Sequence, residues 1–143
     1  MQPVIKLIDY TITDCTIKVQ PQFAGVKPLP LPWKYGYKWD HNLRQFKEIK
    51  NRYRLNLSFT FDAPTKVPFP YFIHLELMGI FEHTPLIKTD NAKQYVQAVT
   101  LSGLAILYGV MRSLVSDITS QCYQGRFILP TINFVEDLKK KHK

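Results

Sequence analysis

With 143 residues, 45% of them hydrophobic, the chain is long enough to enclose a core but too short for a core plus an elaborate catalytic insert. The net charge of +8 is unevenly spread: eight Lys/Arg fall between Lys27 and Arg54 against only Asp40 and Glu48, four Lys lie in the tail, and the rest is close to neutral. No uninterrupted apolar stretch approaches the ~20 residues of a membrane-spanning helix, and the start MQPVIKLIDY lacks the basic and apolar regions of a signal peptide, so a cytoplasmic protein without membrane insertion is expected.

One domain over residues 1–138 is the expectation, with an aromatic, basic crossover region at 21–50 and a basic tail at 139–143. Leu7 to Val19 reads as a strand whose phase shifts between Ile12 and Cys15; a bulge there would restore an inward set of Cys15, Ile17 and Val19. Within the crossover region, Lys38 to Lys47 is the segment suited to a further strand, although its alternation is poor. From Arg52 to Phe61, RYRLNLSFTF alternates without a fault, placing Tyr53, Leu55, Leu57, Phe59 and Phe61 on one buried face. After the turn-rich DAPTKVP, FPYFIHLELMGIF alternates again with Phe69, Tyr71, Ile73, Leu75 and Leu77 in the buried phase, so the two strands form an antiparallel hairpin.

Beyond Asp90, an N-cap candidate, the period changes. Tyr95, Val96 and Val99 suggest a short helix, and Ser102 is placed to cap a second, long one running to about Cys122. In that second helix Leu104, Leu107, Met111, Leu114 and Ile118 recur at spacings of three and four, widened by Tyr108, Val115 and Cys122. A stripe this wide can cover a sheet on one side and meet a partner helix on the other, which makes those five residues the candidate oligomer interface. Pro130 then interrupts GRFILPTINF, where neither a helix nor a central strand continues undisturbed, and what this apolar run packs against is the open question.

Catalysis needs convergent polar groups, and few are offered. His41, His74, His83 and His142 show no metal-ligand spacing; there is no Gly-rich phosphate loop and no GxSxG elbow. Cys15 and Cys122 sit in apolar contexts and fit small buried side chains rather than a disulfide or a metal site. His74 and Glu76, two apart on one strand face, are acid–base candidates in principle, but the solvated face of a sheet is the simpler reading. Neither an enzyme nor a cofactor or metal is expected.

The informative stretch is PLPLPWKYGYKWD, in which Trp33, Tyr35, Tyr37 and Trp39 alternate behind Pro28, Pro30 and Pro32, so an extended segment puts all four rings on one side. Either they fold down to complete the core or a subunit interface, or they line an apolar groove for a peptide or for stacked bases.

The succession of these features resembles the SecB family of export chaperones. Ile106, Leu107, Tyr108 and Arg112 match the family's ILFPYAR helix motif; Leu129, Ile132, Asn133 and Phe134 match its closing LxPxNF motif; Gly79 to Phe81 match a third site, and Trp39 the Trp of the crossover loop. The resemblance runs from Val4 to Leu138. It implies an α+β protomer, a four-stranded antiparallel sheet followed by a short and a long helix, assembled through the long helices as a tetramer, a dimer of dimers. It further implies protein export and transport: non-native polypeptides held without ATP in apolar grooves, here lined by Trp33, Tyr35, Tyr37, Trp39 and Tyr108, with no cofactor. There are departures, and those in the tail and on the sheet surface concern SecA, the family's motor partner. Gly109 replaces the usual Pro, the tail lacks the Cys/His pattern that some members use for zinc and SecA, and the docking face carries His74, Thr16 and Gln20 where acidic residues are usual.

The leading expectation is thus a SecB-like chaperone for preproteins or for a dedicated client such as an antitoxin, with SecA docking doubtful. The alternatives are a nucleic-acid-binding module that uses the basic loop and tail with Trp/Tyr stacking, and a structural subunit that keeps the fold without client binding.

Overall fold

The computed structural model describes residues 4–23, 25–28, 37–63, 69–84 and 91–141. Strands β1 (Ile5–Val19), β2 (Tyr37–Gln45), β3 (Arg52–Asp62) and β4 (Tyr71–His83) are followed by helices α1 (Ala92–Thr119) and α2 (Phe134–Lys141). The strands form one four-stranded sheet in the order β1-β4-β3-β2, and every pairing is antiparallel. Four strands with one long and one short helix are the α+β architecture expected from the sequence.

The alternation in β3 and β4 is reproduced residue for residue. Tyr53, Leu55, Leu57, Phe59 and Phe61 of β3 and Tyr71, Ile73, Leu75 and Leu77 of β4 are all buried, on the face that α1 covers. Phe69, just before β4, joins Phe61 and Phe127 in an aromatic cluster with centroids 4.8 to 4.9 Å apart. Two glycines allow α1 to approach this closely. A Cβ on Gly103 of α1 would stand 2.6 Å from Leu55 Cδ2, and one on Gly79 of β4 would stand 2.6 Å from Phe81 Cε2 and 3.0 Å from Leu107 Cδ2. The Gly in the GIF stretch is therefore a packing requirement of the helix above it.

β1 has the expected bulge between Ile12 and Asp14, and a second between Leu7 and Asp9 that the sequence did not announce. Cys15, Ile17 and Val19 do lie opposite the inward residues Leu75, Ile73 and Tyr71. They are not all enclosed, however. Cys15 is exposed, against the expectation of a small buried side chain, because α1 does not reach over this part of the edge strand. Cys122 is half-buried, and both cysteines are free.

The helical region also differs from expectation. Ser102 caps nothing: α1 is one helix of 28 residues, begun by Asn91, whose side chain accepts from the Lys93 amide at 3.0 Å. Asp90 lies outside the described residues. The inward positions Tyr95, Val99, Gly103, Leu104, Leu107, Met111 and Val115 run through Ser102 without a break, and one mid-helix Ser costs too little to interrupt that packing. By length and apolarity α1 could span a bilayer, but this row is packed on the sheet, as in a core helix. The short helix comes last, and Lys139 to Lys141 of the basic tail continue it.

Candidate functional site

The apolar run after α1 returns along the protomer. Gly125, at φ +98°, makes the turn that only Gly adopts readily. Phe127, Leu129 and Phe134 are then buried while Ile128 stays exposed. The run pairs with no strand, so its carbonyls need side-chain donors. Tyr71 Oη donates to Gly125 O at 2.6 Å, Arg112 Nε to Leu129 O at 3.0 Å, and Tyr108 Oη to Pro130 O at 2.6 Å. Thr119 Oγ1 accepts from the Phe127 amide at 2.9 Å and donates to Val115 O at 2.5 Å, stitching the end of α1 to the returning chain. Tyr108 and Arg112, one helical turn apart, thus serve the Leu129–Pro130 step, and the two sequence motifs are halves of one structural device. Burial pushes the Tyr71 hydroxyl up to about 12, with Cys122 adding to it, and burial raises Tyr108 as well.

This return places α2 beside α1 and β2, where an apolar cleft of about 550 Å³ opens. Leu101 of α1 with Val135 and Leu138 of α2 provide its apolar lining; His41, Gln97, Thr100 and Lys139 provide its polar groups. Val135 is 45% exposed. Behind the cleft Trp39 is buried, its Nε1 donating to Asp137 Oδ2 at 3.0 Å and its ring set edge-on to Phe134 at 5.0 Å. Tyr108 packs on Phe134 and Phe59, both at 5.6 Å. Tyr37 is half-buried and stacks over Phe59 at 6.1 Å; burial, and then Asp137, raise its hydroxyl.

The residues singled out from the sequence therefore fall into distinct places. Trp39 and Tyr108 do not line the cleft but pack behind it on Phe134, Tyr37 packs on Phe59, also outside the lining, and Trp33 and Tyr35 lie outside the described residues. Leu101, Val135 and Leu138 were not anticipated; the spacing of three between Val135 and Leu138, opposite the acidic Glu136 and Asp137, was the available signal. Of the candidate interface residues, Leu104, Leu107 and Met111 are wholly enclosed by the chain's own sheet, and only Leu114 and Ile118 retain exposure. The outward side of α1 instead carries Ile106, Ala105, Gly109 and Ser113, and a Cβ on Gly109 would meet nothing within 4 Å.

On β2, Tyr37 and Trp39 face α1, whereas Lys38 and Arg44 lie on the opposite side with Arg54 of β3. The β2 and β3 cations thus lie on the other face of the sheet from Tyr37 and Trp39, whereas base stacking combined with phosphate contact needs both on one surface. The cleft thus sets an apolar floor beside one imidazole and one ammonium.

The fold is shared with solved structures. It is similar to a SecB-like chaperone of Mycobacterium tuberculosis, solved with a ChAD peptide from an antitoxin, with a TM-score of 0.55 over 90% of this chain and 91% of that one at 13% identity. It is also similar to a protein of unknown function from Streptococcus agalactiae, with a TM-score of 0.54 over 92% of this chain and 100% of that one at 8% identity. No protein-family model and no curated protein sequence matches it. The shared property is the fold: this chain has the SecB-like architecture.

Proposed function

We propose that this chain is a SecB-like chaperone that holds non-native polypeptides without nucleotide. The observation that carries the reading is the cleft between α1, α2 and β2, apolar on its α1 and α2 sides and large enough for a short run of side chains. An extended apolar segment binds such a surface by removing area from water, at ~25 cal/mol per Å², with little demand on its sequence. We propose the aromatic stretch of Trp33, Tyr35 and Tyr37 as a further part of the client-binding surface, Trp33 and Tyr35 lying outside the described residues; Trp39 and Tyr108, both packed on Phe134 of α2, stiffen its wall. The related chaperone binds an antitoxin peptide. A dedicated client of that kind, or an exported preprotein in the cytoplasm, meets the same chemistry here.

Copies of the chain would meet on two surfaces: the uncovered apolar row of β1, including Tyr10 and Ile12, and the outward side of α1, where Ala105, Gly109 and Ser113 allow close helix approach with Leu114 and Ile118 at the flank. Using both gives a tetramer. SecA is not expected to dock in the family's manner, because the outer face of β2 and β3 presents Lys38, Arg44, Arg52 and Arg54.

The test is aggregation of an unfolded model protein, followed by light scattering without ATP. The chain at stoichiometric amounts should suppress it, and Trp33→Ala with Tyr37→Ala should weaken suppression by about tenfold or more while the oligomer persists. Absence of suppression by the unmodified chain would contradict the reading.

A further inference from the structure

The outer face of the sheet holds a cluster that the cleft does not use. His74 and Glu76 project from β4 away from α1, and the bulge at Thr13 sets Asp14 of β1 opposite Glu76, with Thr16 opposite His74. His74 Nε2 lies 3.6 Å from Glu76 Oε1 and 3.9 Å from Asp14 Oδ2, and one donor atom from each of the three side chains lies within 4.8 Å of the others. Direct N–H···O bonds are shorter, about 2.7–3.2 Å. The spacing is instead close to the edge of about 3.4 Å that separates ligands placed tetrahedrally at about 2.1 Å from a zinc-sized ion.

Groups outside this trio hold it in place. Thr60 Oγ1 is 2.7 Å from His74 Nδ1, Thr16 Oγ1 donates to Asp14 Oδ1 at 2.9 Å, and Thr13 Oγ1 donates to Glu76 O at 2.9 Å, locking the bulge. In the tautomer with Nδ1 donating to Thr60, which a bound ion would select, the Nε2 lone pair faces the two carboxylates. In that tautomer three acceptors converge on one point, and a cation between them relieves their repulsion. An imidazole oriented through its second nitrogen is the arrangement that metal-ligating histidines have. The His74, Asp14 and Glu76 side chains are 28%, 41% and 47% exposed, so an ion can enter from solvent and retain water in its remaining positions.

We propose that Asp14, His74 and Glu76 form a binding site for one zinc-class divalent cation. One imidazole and two carboxylates favour a borderline ion over magnesium, which prefers an all-oxygen octahedron. The ion would tie the edge strand β1 to β4 at the bulge, joining side chains sixty positions apart in the chain, and this does not depend on the chaperone reading. The sequence suggested no metal because His74 and Glu76 alone are two ligands; the third arrives only through strand pairing.

The experiment is calorimetric titration of the full chain with zinc chloride, with magnesium chloride as control, in a Cys15→Ser/Cys122→Ser background that removes thiolate sites. One zinc per chain is expected, with magnesium far weaker; Asp14→Asn and Glu76→Gln should each weaken zinc by at least about tenfold, and His74→Ala should abolish it. Zinc should also raise the thermal midpoint of the background but not of Asp14→Asn, and should shift the His74 Nε2 resonance, a readout that stands even if His74→Ala fails to fold. Absence of saturable binding at millimolar zinc, or binding unchanged in Asp14→Asn and with no shift at His74, would overturn the proposal.

Discussion

β4 and β1 are neighbours in one sheet, yet only β4 is finished. The inward residues Tyr71, Ile73 and Leu75 of β4 are 0% exposed, while Tyr10 and Ile12 of β1, on the same face, are 43% and 40% exposed. The reason is dimensional. A helix about 10 Å across covers about two strands spaced 4.8 Å apart, and α1 lies over β3 and β4. Ile5, Leu7 and Ile17 of β1 pack against the core, but the middle of its apolar row, at Tyr10 and Ile12, has the composition of a core face without its cover, on an edge strand of 15 residues of the kind that invites further pairing.

This contrast can be broken most strongly by truncation. Leu75→Ala should cost about 2–5 kcal/mol in a denaturation curve, whereas Ile12→Ala should cost less than about 1 kcal/mol in the separated chain and show instead in association, read by light scattering on dilution. If Ile12→Ala destabilised the chain as much as Leu75→Ala, the half-covered picture would be wrong.

Alkaline pH probes the finished half through Tyr71. Below pH 10 Tyr71 is neutral folded or unfolded; above it the unfolded chain ionises first, because burial holds the folded hydroxyl up to about 12. The unfolded state then binds fewer protons, so stability must fall as pH rises from 10 toward 12, by up to ~1.4 kcal/mol per pH unit for each such group. Tyr108 adds in the same direction. Tyr71→Phe should flatten the decline across pH 9 to 11.5, and an unchanged slope would show that its hydroxyl is not protected as described.

Two glycines of α1 sharpen the comparison on one helix. Gly103→Ala, pressed against Leu55, should destabilise by about 1–3 kcal/mol. Gly109→Ala faces open space and should stabilise the isolated chain by up to about 1 kcal/mol through helix propensity. Gly109→Leu should leave the fold intact and lower the oligomeric mass; unchanged mass would remove the outward side of α1 from the assembly.

The covered half was the legible half. In β3 and β4 every second residue is apolar because each strand has one buried and one solvated face, so alternation revealed strands, hairpin and core together. The junction within α1 misled because Ser102 is a good cap in isolation, while packing on both sides of it decides the outcome. What GRFILPTINF packs against was left open by the sequence, because the contacts that decide it, Tyr108 and Arg112 donating to the carbonyls of Pro130 and Leu129, join residues about twenty apart. The cleft was illegible because Leu101, Val135 and Leu138 each read as ordinary helix positions, and they form a surface only once α2 has folded back. Trp39 and Tyr108 were marked for their chemistry, yet packing placed them behind that surface.

The most direct test of the account is fluorescence anisotropy of a labelled, permanently unfolded polypeptide titrated with the chain in the absence of nucleotide. The account predicts saturable binding that Leu101→Asp with Val135→Asp weakens by about tenfold or more, with circular dichroism and oligomeric mass unchanged. Binding that is absent in the unmodified chain, or that survives both charges undiminished, would contradict it.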